Sequence, residues 1–445
     1  MGIMDNFRNW LLKPLLGREM VERANSVEKR REYRRGVQKK PIKSADDVVV
    51  INFIGLIVDR GIANLFGKEP TFDLPGESDD PKQVYIDDVW RANSKMRVLK
   101  SLALYGAESG TAYAKILPGG ALDKAGNLVP RLVALDPTTV TMDTLPEDTD
   151  TVIRYTIAYR IDDPITGKEK YIRQVIEAQD GKWLISDYVS NDARQWTLTD
   201  ERLWDYDFAP IVHCQNLPDP SSAYGRSDIS DDMIELQDRI NFVASNTAKI
   251  IKYHAHPKTW GRGNITDSSK VQWGADEMVL YNSPDAMIQN LEMQSDLGSS
   301  MQFIRFLRQA LFDVSRSVDI DSLQDKLGAL TNFGLRVLYQ DAMGKLDEKR
   351  GLYGDLLIEI NRRLLILAGI GDDGGEIIWQ DILPVNEIER TTAIKNDLEL
   401  GLVSKQTASK KRGYVWEDEE SRIADEEKAG GNIGEALLEA FGQGR

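Results

Sequence analysis

Three helical patterns in the middle of the chain constrain it most. Residues 229–253 carry Ile229, Met233, Leu236, Ile240, Val243 and Ile250 at alternating steps of four and three, with Thr247 filling one slot. This spacing predicts one continuous stripe along a helix. Ser230 stands at the cap position. Asp231 and Asp232 fall in the first turn and Lys249 and Lys252 in the last, the order a helix dipole favours. A second helix is predicted over 295–318, with Met301, Ile304, Leu307, Leu311, Val314 and Val318 on one side. A third runs over 332–369 and ends at Gly369; at ~1.5 Å per residue it would span roughly 55 Å. Gly344, Gly351 and Gly354 weaken it locally and predict a kink. Narrow-striped helices of this kind do not form an obvious compact monomer, so partners in other subunits are expected.

The chain has 445 residues, room for two or three domains of ~150 each. Its 41% apolar and 29% charged content excludes disorder of the whole chain. A net charge of −15 argues against tight sequence-independent DNA binding by the whole surface, though it suits DNA that must slide past without sticking. The single cysteine, Cys214, excludes an internal disulfide and a CxxC zinc site. No apolar run approaches the ~18 residues of a membrane span. Met1 to Leu16 contains Asp5, Arg8 and Lys13 and no small-residue cleavage site, which argues against a signal peptide. A reducing cytoplasm is the expected site of synthesis.

Residues 1–45 form a basic arm on an acidic protein, including Arg23, Arg30, Arg31, Arg34 and Arg35. Two readings stay open: a solvated helix and arm with i,i+4 pairs, Glu28 and Glu32 set against Arg31 and Arg35, or an arm that docks on an acidic partner such as a neighbouring subunit, or on nucleic acid. An α+β region follows over 46–225. Helices are predicted at 48–66, 84–91 and 96–106, and strands at 71–74, 111–117, 131–135, 140–143, 152–161, 169–178, 181–190 and 211–213. Pro118-Gly119-Gly120, 164–167 and Asp180-Gly181 supply turn signals. The segment 217–225, rich in Pro, Ser and Gly, reads as a hinge. The insert 254–294 offers a Gly261-Arg262-Gly263 turn and a strand at 277–281. A strand at 377–379, a helix at 387–400, an acidic stretch at 417–427 and a weak helix at 433–441 complete the chain.

No motif signals catalysis. A phosphate-binding loop ending in Lys-Ser or Lys-Thr is missing, so no intrinsic ATPase is suggested. His254 and His256 alternate as strand ligands could, but no third ligand stands near. His213 and Cys214 point to opposite faces of a strand and cannot easily form a dyad. Asp319, Asp321 and Asp325 could form a magnesium cluster for nuclease chemistry, or a solvated loop.

Many segments together resemble the tailed-bacteriophage portal proteins, over roughly residues 30–428. REYRRGVQ (31–38) resembles an aromatic-x-x-Gly-x-Gln element. NFIGLIVDRGIANLFGKEP (52–70) and SKMRVLKSLALYGAESGTAYAKI (94–116) are similar to the family's first helices and following strand. LVALDPTTV (132–140) and VIRYTIAYRI (152–161) look like its β part. YGRSDISDDMIELQDRINFVASN (224–246) resembles the Gly-x-Ser-Asp lead into a stem helix with a Leu-x-Asp-x-x-Asn core. LELGLVSKQTASKKRGYVWEDEESRIADEE (398–427) resembles the crown. At 332–336 NFGLR replaces the usual Ser-Gly pair.

The resemblance implies an α+β portal fold with an α/β wing (46–225), a first stem helix (226–253), a small β-containing clip (254–294) and a second stem helix (295–318). A tunnel loop (319–331), a long kinked wing helix (332–369) and a helical crown with the C-terminal tail (370–445) would follow. It implies a homo-oligomeric ring, typically a dodecamer, at one capsid vertex of the virion, assembled in the bacterial host cytoplasm. Double-stranded DNA would pass through it during packaging and ejection. Large terminase and head–tail adaptor would dock at the clip, scaffold and major capsid proteins at the wing. No enzyme activity, cofactor, metal or membrane contact is implied. Asp321, Gln324, Asp325, Lys326, Thr331 and Asn332 would face the channel, and Lys258, Trp260 and Arg262 the docking partners. A metal-dependent nuclease and a non-channel minor capsid or adaptor protein are the competing readings.

Overall fold

The computed structural model describes residues 18–42, 47–76, 80–162, 167–255, 258–262, 287–291, 297–320, 334, 337–382, 387–412 and 419–423. It separates into two units: 1–329 with 337–380, and 330–336 with 381–445. The architecture is α+β.

In the first unit, helix α1 (Arg18–Arg34) precedes α2 (Phe53–Phe66) and strand β1 (Thr71–Asp73). Helices α3 (Pro81–Ala92) and α4 (Lys95–Ser109) follow. Strands β2 (Thr111–Leu122), β3 (Leu128–Leu135) and β9 (Ile211–Gln215) make one antiparallel sheet in the order β3-β2-β9. Strands β4 (Val140–Leu145), β5 (Asp148–Asp162), β6 (Glu169–Gln179), β7 (Lys182–Ser190) and β8 (Thr197–Trp204) form a five-stranded meander. Helix α5 (Asp231–Ala255), strands β10 (Lys258–Arg262) and β11 (Met287–Leu291), helix α6 (Leu297–Val314), helix α7 (Gln340–Ala368) and strand β12 (Glu376–Ile378) complete it. The second unit contains α8 (Glu387–Glu399) and α9 (Lys405–Arg412).

The elements depart from the sequence pattern at instructive places. Helix α2 starts at Phe53 rather than 48, because Asn52 caps it: its side-chain oxygen accepts from Gly55 N at 3.0 Å. Pro118, Gly119 and Gly120 do not end β2; they form a register shift between Leu117 and Gly120, and the chain turns later, where Asp123 Oδ1 accepts from Asn127 N at 2.7 Å. Strand β8 has no counterpart in the sequence pattern. Gly261 and Arg262 belong to β10 instead of a turn. The long helix is continuous from Gln340, eight residues after the expected start. The strand expected at 277–281 and the helix at 433–441 lie outside the described residues.

Two clusters of buried residues position the site. Tyr113, Met142, Tyr155, Ile176, Trp183 and Trp204 fill the space between the two larger sheets. Ile54, Ile57 and Val58 of α2 meet Met233, Ile234 and Ile240 of α5 and Leu307, Leu311 and Phe312 of α6. The stripe read from the sequence of α5 is therefore the face that packs.

Beside that stripe runs a second, polar one. Gln237, Asn241 and Ser245 have no exposed surface. Gln237 Oε1 accepts from Phe53 N at 3.2 Å and Asn241 Oδ1 from Ile51 N at 3.0 Å; Ser245 Oγ accepts from Val49 N at 2.9 Å. Gln237 Nε2 also donates to Ile51 O at 2.6 Å and Ser245 Oγ to Val49 O at 3.2 Å. Four helical residues advance ~6 Å and two extended residues ~6.7 Å, so side chains four apart on α5 match backbone groups two apart beside it. The ladder extends outward through Asn241 Nδ2, which donates to Gln38 Oε1 at 2.6 Å, and Gln38 Nε2, which donates to Tyr33 O at 3.1 Å and to Asn52 Oδ1 at 3.0 Å.

Asn241→Leu leaves the Ile51 N–H and the Gln38 carbonyl oxygen without these partners. The expected loss is about 1–3 kcal/mol for each group left buried and unpaired. Equilibrium unfolding in denaturant measures it, and a loss below about 1 kcal/mol would show that water replaces the ladder.

Candidate functional site

Helices α5 and α6 pack as a hairpin whose two ends have different chemistry. At the end nearer α2 the pair is buried. Phe53 and Phe312 meet edge to face with centroids 6.1 Å apart. The Arg308 guanidinium lies 5.2 Å from the Phe53 ring centroid while NH2 donates to Asp319 Oδ1 at 2.6 Å. Farther along, the apolar residues have no cover among the described residues. Phe242 and Ile251 of α5 and Met301, Phe303 and Phe306 of α6 are exposed, Phe306 at 64%. Phe303 and Phe306 stack with centroids 6.4 Å apart. An exposed aromatic and aliphatic band is the mark of an association surface. The sequence stripe of α6 is thus split: Leu307 and Leu311 are buried, Met301 and Val314 are exposed.

The hairpin leads into the ribbon β10–β11, which pairs antiparallel with Lys258 opposite Leu291, Trp260 opposite Gln289 and Arg262 opposite Met287. Lys258, Trp260 and Arg262 thus occupy alternate positions of one strand.

At the other end, α5 begins where the Gly-x-Ser-Asp element meets α4. Gly110 and Gly225 approach so closely that a Cβ on Gly110 would lie 1.9 Å from Gly225 O, and Gly110 has φ of +91°. Only glycine fits this crossing. Ser227 Oγ and Asp228 N both donate to Ala107 O, at 2.6 and 2.9 Å. Asp228 is buried and ion-paired with two lysines of α7, Lys349 at 2.5 Å and Lys345 at 3.2 Å. Burial alone would push its carboxyl up; the two ammonium groups outweigh that and hold it well below the usual carboxylate range. Lys345 also donates to Ser315 O at 3.1 Å. One residue of α7 therefore ties the start of α5 to the end of α6. The outgoing chain is further held by Arg60 NH1, which donates to Val318 O at 3.3 Å.

The remaining sequence candidates fall as follows. Asp321, Gln324, Asp325, Lys326, Thr331 and Asn332 lie outside the described residues. Asp319 is held by Arg308, and among the described residues no three His, Cys, Asp or Glu side chains are grouped to hold a metal. His254 is on helix α5, not a strand. His213 on β9 is buried beside Tyr155, with Tyr155 Oη and His213 Nδ1 2.9 Å apart; burial, aided by Arg363, pulls its pKa down to about 4. Burial pushes the Cys214 thiol up.

Much of the basic segment turns inward. Glu108, almost wholly buried, accepts from Arg31 Nε at 2.9 Å and from Arg34 Nε at 2.8 Å, and Arg31 NH2 reaches Asp136 at 3.1 Å. Arg23 lies over the Tyr224 ring at 3.9 Å and donates to Pro137 O. Arg31 also pairs with Glu28 on its own helix, at 3.1 Å; the distant acids Glu108 and Asp136 are partners the sequence did not offer. No described helix is long and apolar enough to cross a membrane.

Residues 15–432 match the family model described as phage portal protein, SPP1 Gp6-like. The chain belongs to that family. No curated protein matches it. A solved chain from the neck of a native GTA particle computed with C12 symmetry aligns with 12% identity and a TM-score of 0.42, over 88% of this chain and 99% of that one.

Asp228→Asn leaves the buried Lys349 and the half-buried Lys345 without their carboxylate and is expected to cost about 3–5 kcal/mol. Because the folded carboxyl titrates below its unfolded value of 3.8, the native contribution is complete above that value and disappears as the pH falls toward the folded one. The stability gap between the native chain and Asp228→Asn, measured by urea unfolding, should therefore narrow on acidification below about pH 4.

Proposed function

We propose that this chain is one subunit of a closed ring, typically of twelve, that forms the DNA channel at one vertex of a phage head. The observation that carries this reading is the exposed band on the α5–α6 hairpin. Side by side in a ring, each hairpin would cover the Phe303 and Phe306 surface of the next, giving apolar residues the burial they lack in one copy. In this reading 46–225 and the long helix form the wing, α5 and α6 the stem, 254–294 the clip and 370–445 the crown and tail. DNA enters during packaging and leaves during ejection. The ring assembles in the bacterial host cytoplasm and remains in the virion.

Terminase and then the head–tail adaptor would dock on the clip, with Trp260 and Arg262 as interface anchors beside Lys258. Scaffold and major capsid protein would meet the wing. The segment from 319 to 331, leaving α6 where Arg60 and Lys345 hold it, would project into the channel with Asp321, Gln324, Asp325 and Thr331, followed by Asn332. Lys326 is a compact charge on a flexible stem; repeated round a ring it makes a positive belt in an acidic tube, each contact weak and salt-screened. The chain itself would supply no ATPase or nuclease chemistry.

Mass photometry tests the ring. The native chain should give a single species of about a dozen subunits, and Phe306→Glu should give folded protomers; a native chain that stays monomeric at micromolar concentration overturns the reading. Lys326→Glu should leave the ring intact and lower DNA packaging or retention. Normal packaging in that variant removes Lys326 from the channel contact.

A further inference from the structure

A small basic pocket lies where α2, the end of α6 and the start of α7 meet. Its volume is about 160 Å³, enough for a few waters or one small anion. Arg60, Arg316, Lys345 and Lys349 line it. Against these four cations stand two carboxylates, Asp228 beside the lysines and Glu348 beside Arg316. The pocket is therefore positive on a chain whose net charge is −15.

Among the described residues the two arginines keep unused donors. Arg60 spends one N–H on Val318 O, and among the described residues it makes no ion pair. Arg316, held at a left-handed φ of 53°, stands 3.6 Å from Glu348, beyond hydrogen-bond reach. A guanidinium offers five N–H donors in a planar fork that matches tetrahedral oxyanions. Tyr339 and Ala342, at the start of α7, also line the pocket, and the dipole of that helix adds positive potential there. Gly61 contributes space: nothing lies within 4 Å of the position its Cβ would take.

We propose that this pocket binds a phosphate-class oxyanion, with Arg60 and Arg316 as its ligands and the Lys345–Lys349 pair as the positive wall behind it. The site lies on α2, α6 and α7 and does not depend on the channel reading. Two sources share this chemistry: free phosphate and a phosphate of the DNA backbone.

Thermal unfolding of the full chain tests it, with phosphate compared with chloride and acetate at matched ionic strength. Phosphate should raise the midpoint by a few degrees beyond either control, as a ligand of the folded state alone does. Arg60→Gln and Arg316→Gln should each weaken phosphate binding about tenfold, the loss of one charge-assisted contact. Gly61→Leu fills the pocket without removing a charge and should abolish the response. Arg202→Gln, on the exposed strand β8, should keep it. A short DNA duplex that competes with phosphate in the native chain but not in Gly61→Leu identifies the backbone as the source; phosphate binding without such competition identifies free phosphate. No shift beyond chloride, an equal shift with acetate, or a full response in both Arg60→Gln and Gly61→Leu overturns the proposal.

Discussion

The polar ladder on α5 is the contact on which the first unit depends. A helix normally presents its partners with apolar knobs, and the backbone of a neighbouring segment finds its hydrogen bonds elsewhere. Here Gln237, Asn241 and Ser245 replace a strand edge for Val49, Ile51 and Phe53. The segment between α1 and α2 is thereby fixed against α5. Asn52 in that segment caps α2 and also donates to Arg34 O at the end of α1. Tyr33 closes the circuit by donating to Asp238 at 2.9 Å. Three helices meet through amide and hydroxyl groups whose geometry permits little sliding, and the apolar cluster of α2, α5 and α6 packs beside them.

The same residues explain the short strings by which the chain resembles its family. Gln38, Asp238 and Asn241 in REYRRGVQ and ELQDRIN are joints of this circuit, and Gly225, Ser227 and Asp228 fix the crossing of α4 with the start of α5. They were legible as a pattern, but their partners were not: a sequence shows spacing along one element and not which backbone lies across from it. Periodicity served well where one face is buried, as on α5 and most strands of the meander. It missed β8, where seven of eight residues are exposed and no alternation is left to read. It misplaced the start of α2, because Val48 and Val50 look like the beginning of a helical stripe.

The candidate site was legible in outline. The two helices of the hairpin stood out from their stripes, and the insert between them from its position. What the pattern could not reveal was that the α6 stripe is buried only at Leu307 and Leu311 and open at Met301 and Val314, or that Phe303 and Phe306, off the stripe, form an exposed aromatic band. Nor did it reveal the inward turn of the basic segment. Arg31 and Arg34 find Glu108 more than 70 residues away, and a run of arginines reads the same whether its acids are its own or another molecule's. The long α7 looked simple, yet it carries Lys345 and Lys349, which join the start of α5 to the end of α6.

The ladder also sets a timetable for synthesis. Its bonded pairs lie 184 to 196 residues apart in the chain. At a ribosomal rate of ~5–20 residues per second, the segment around Ile51 waits on the order of 10–40 s before Asn241 exists. Until then α1 and α2 can lean on α4, through Glu108 with Arg31 and Arg34, but the surface that α5 will cover stays open to water and to chaperones. A nascent chain therefore cannot complete this corner of the molecule until it is more than half made.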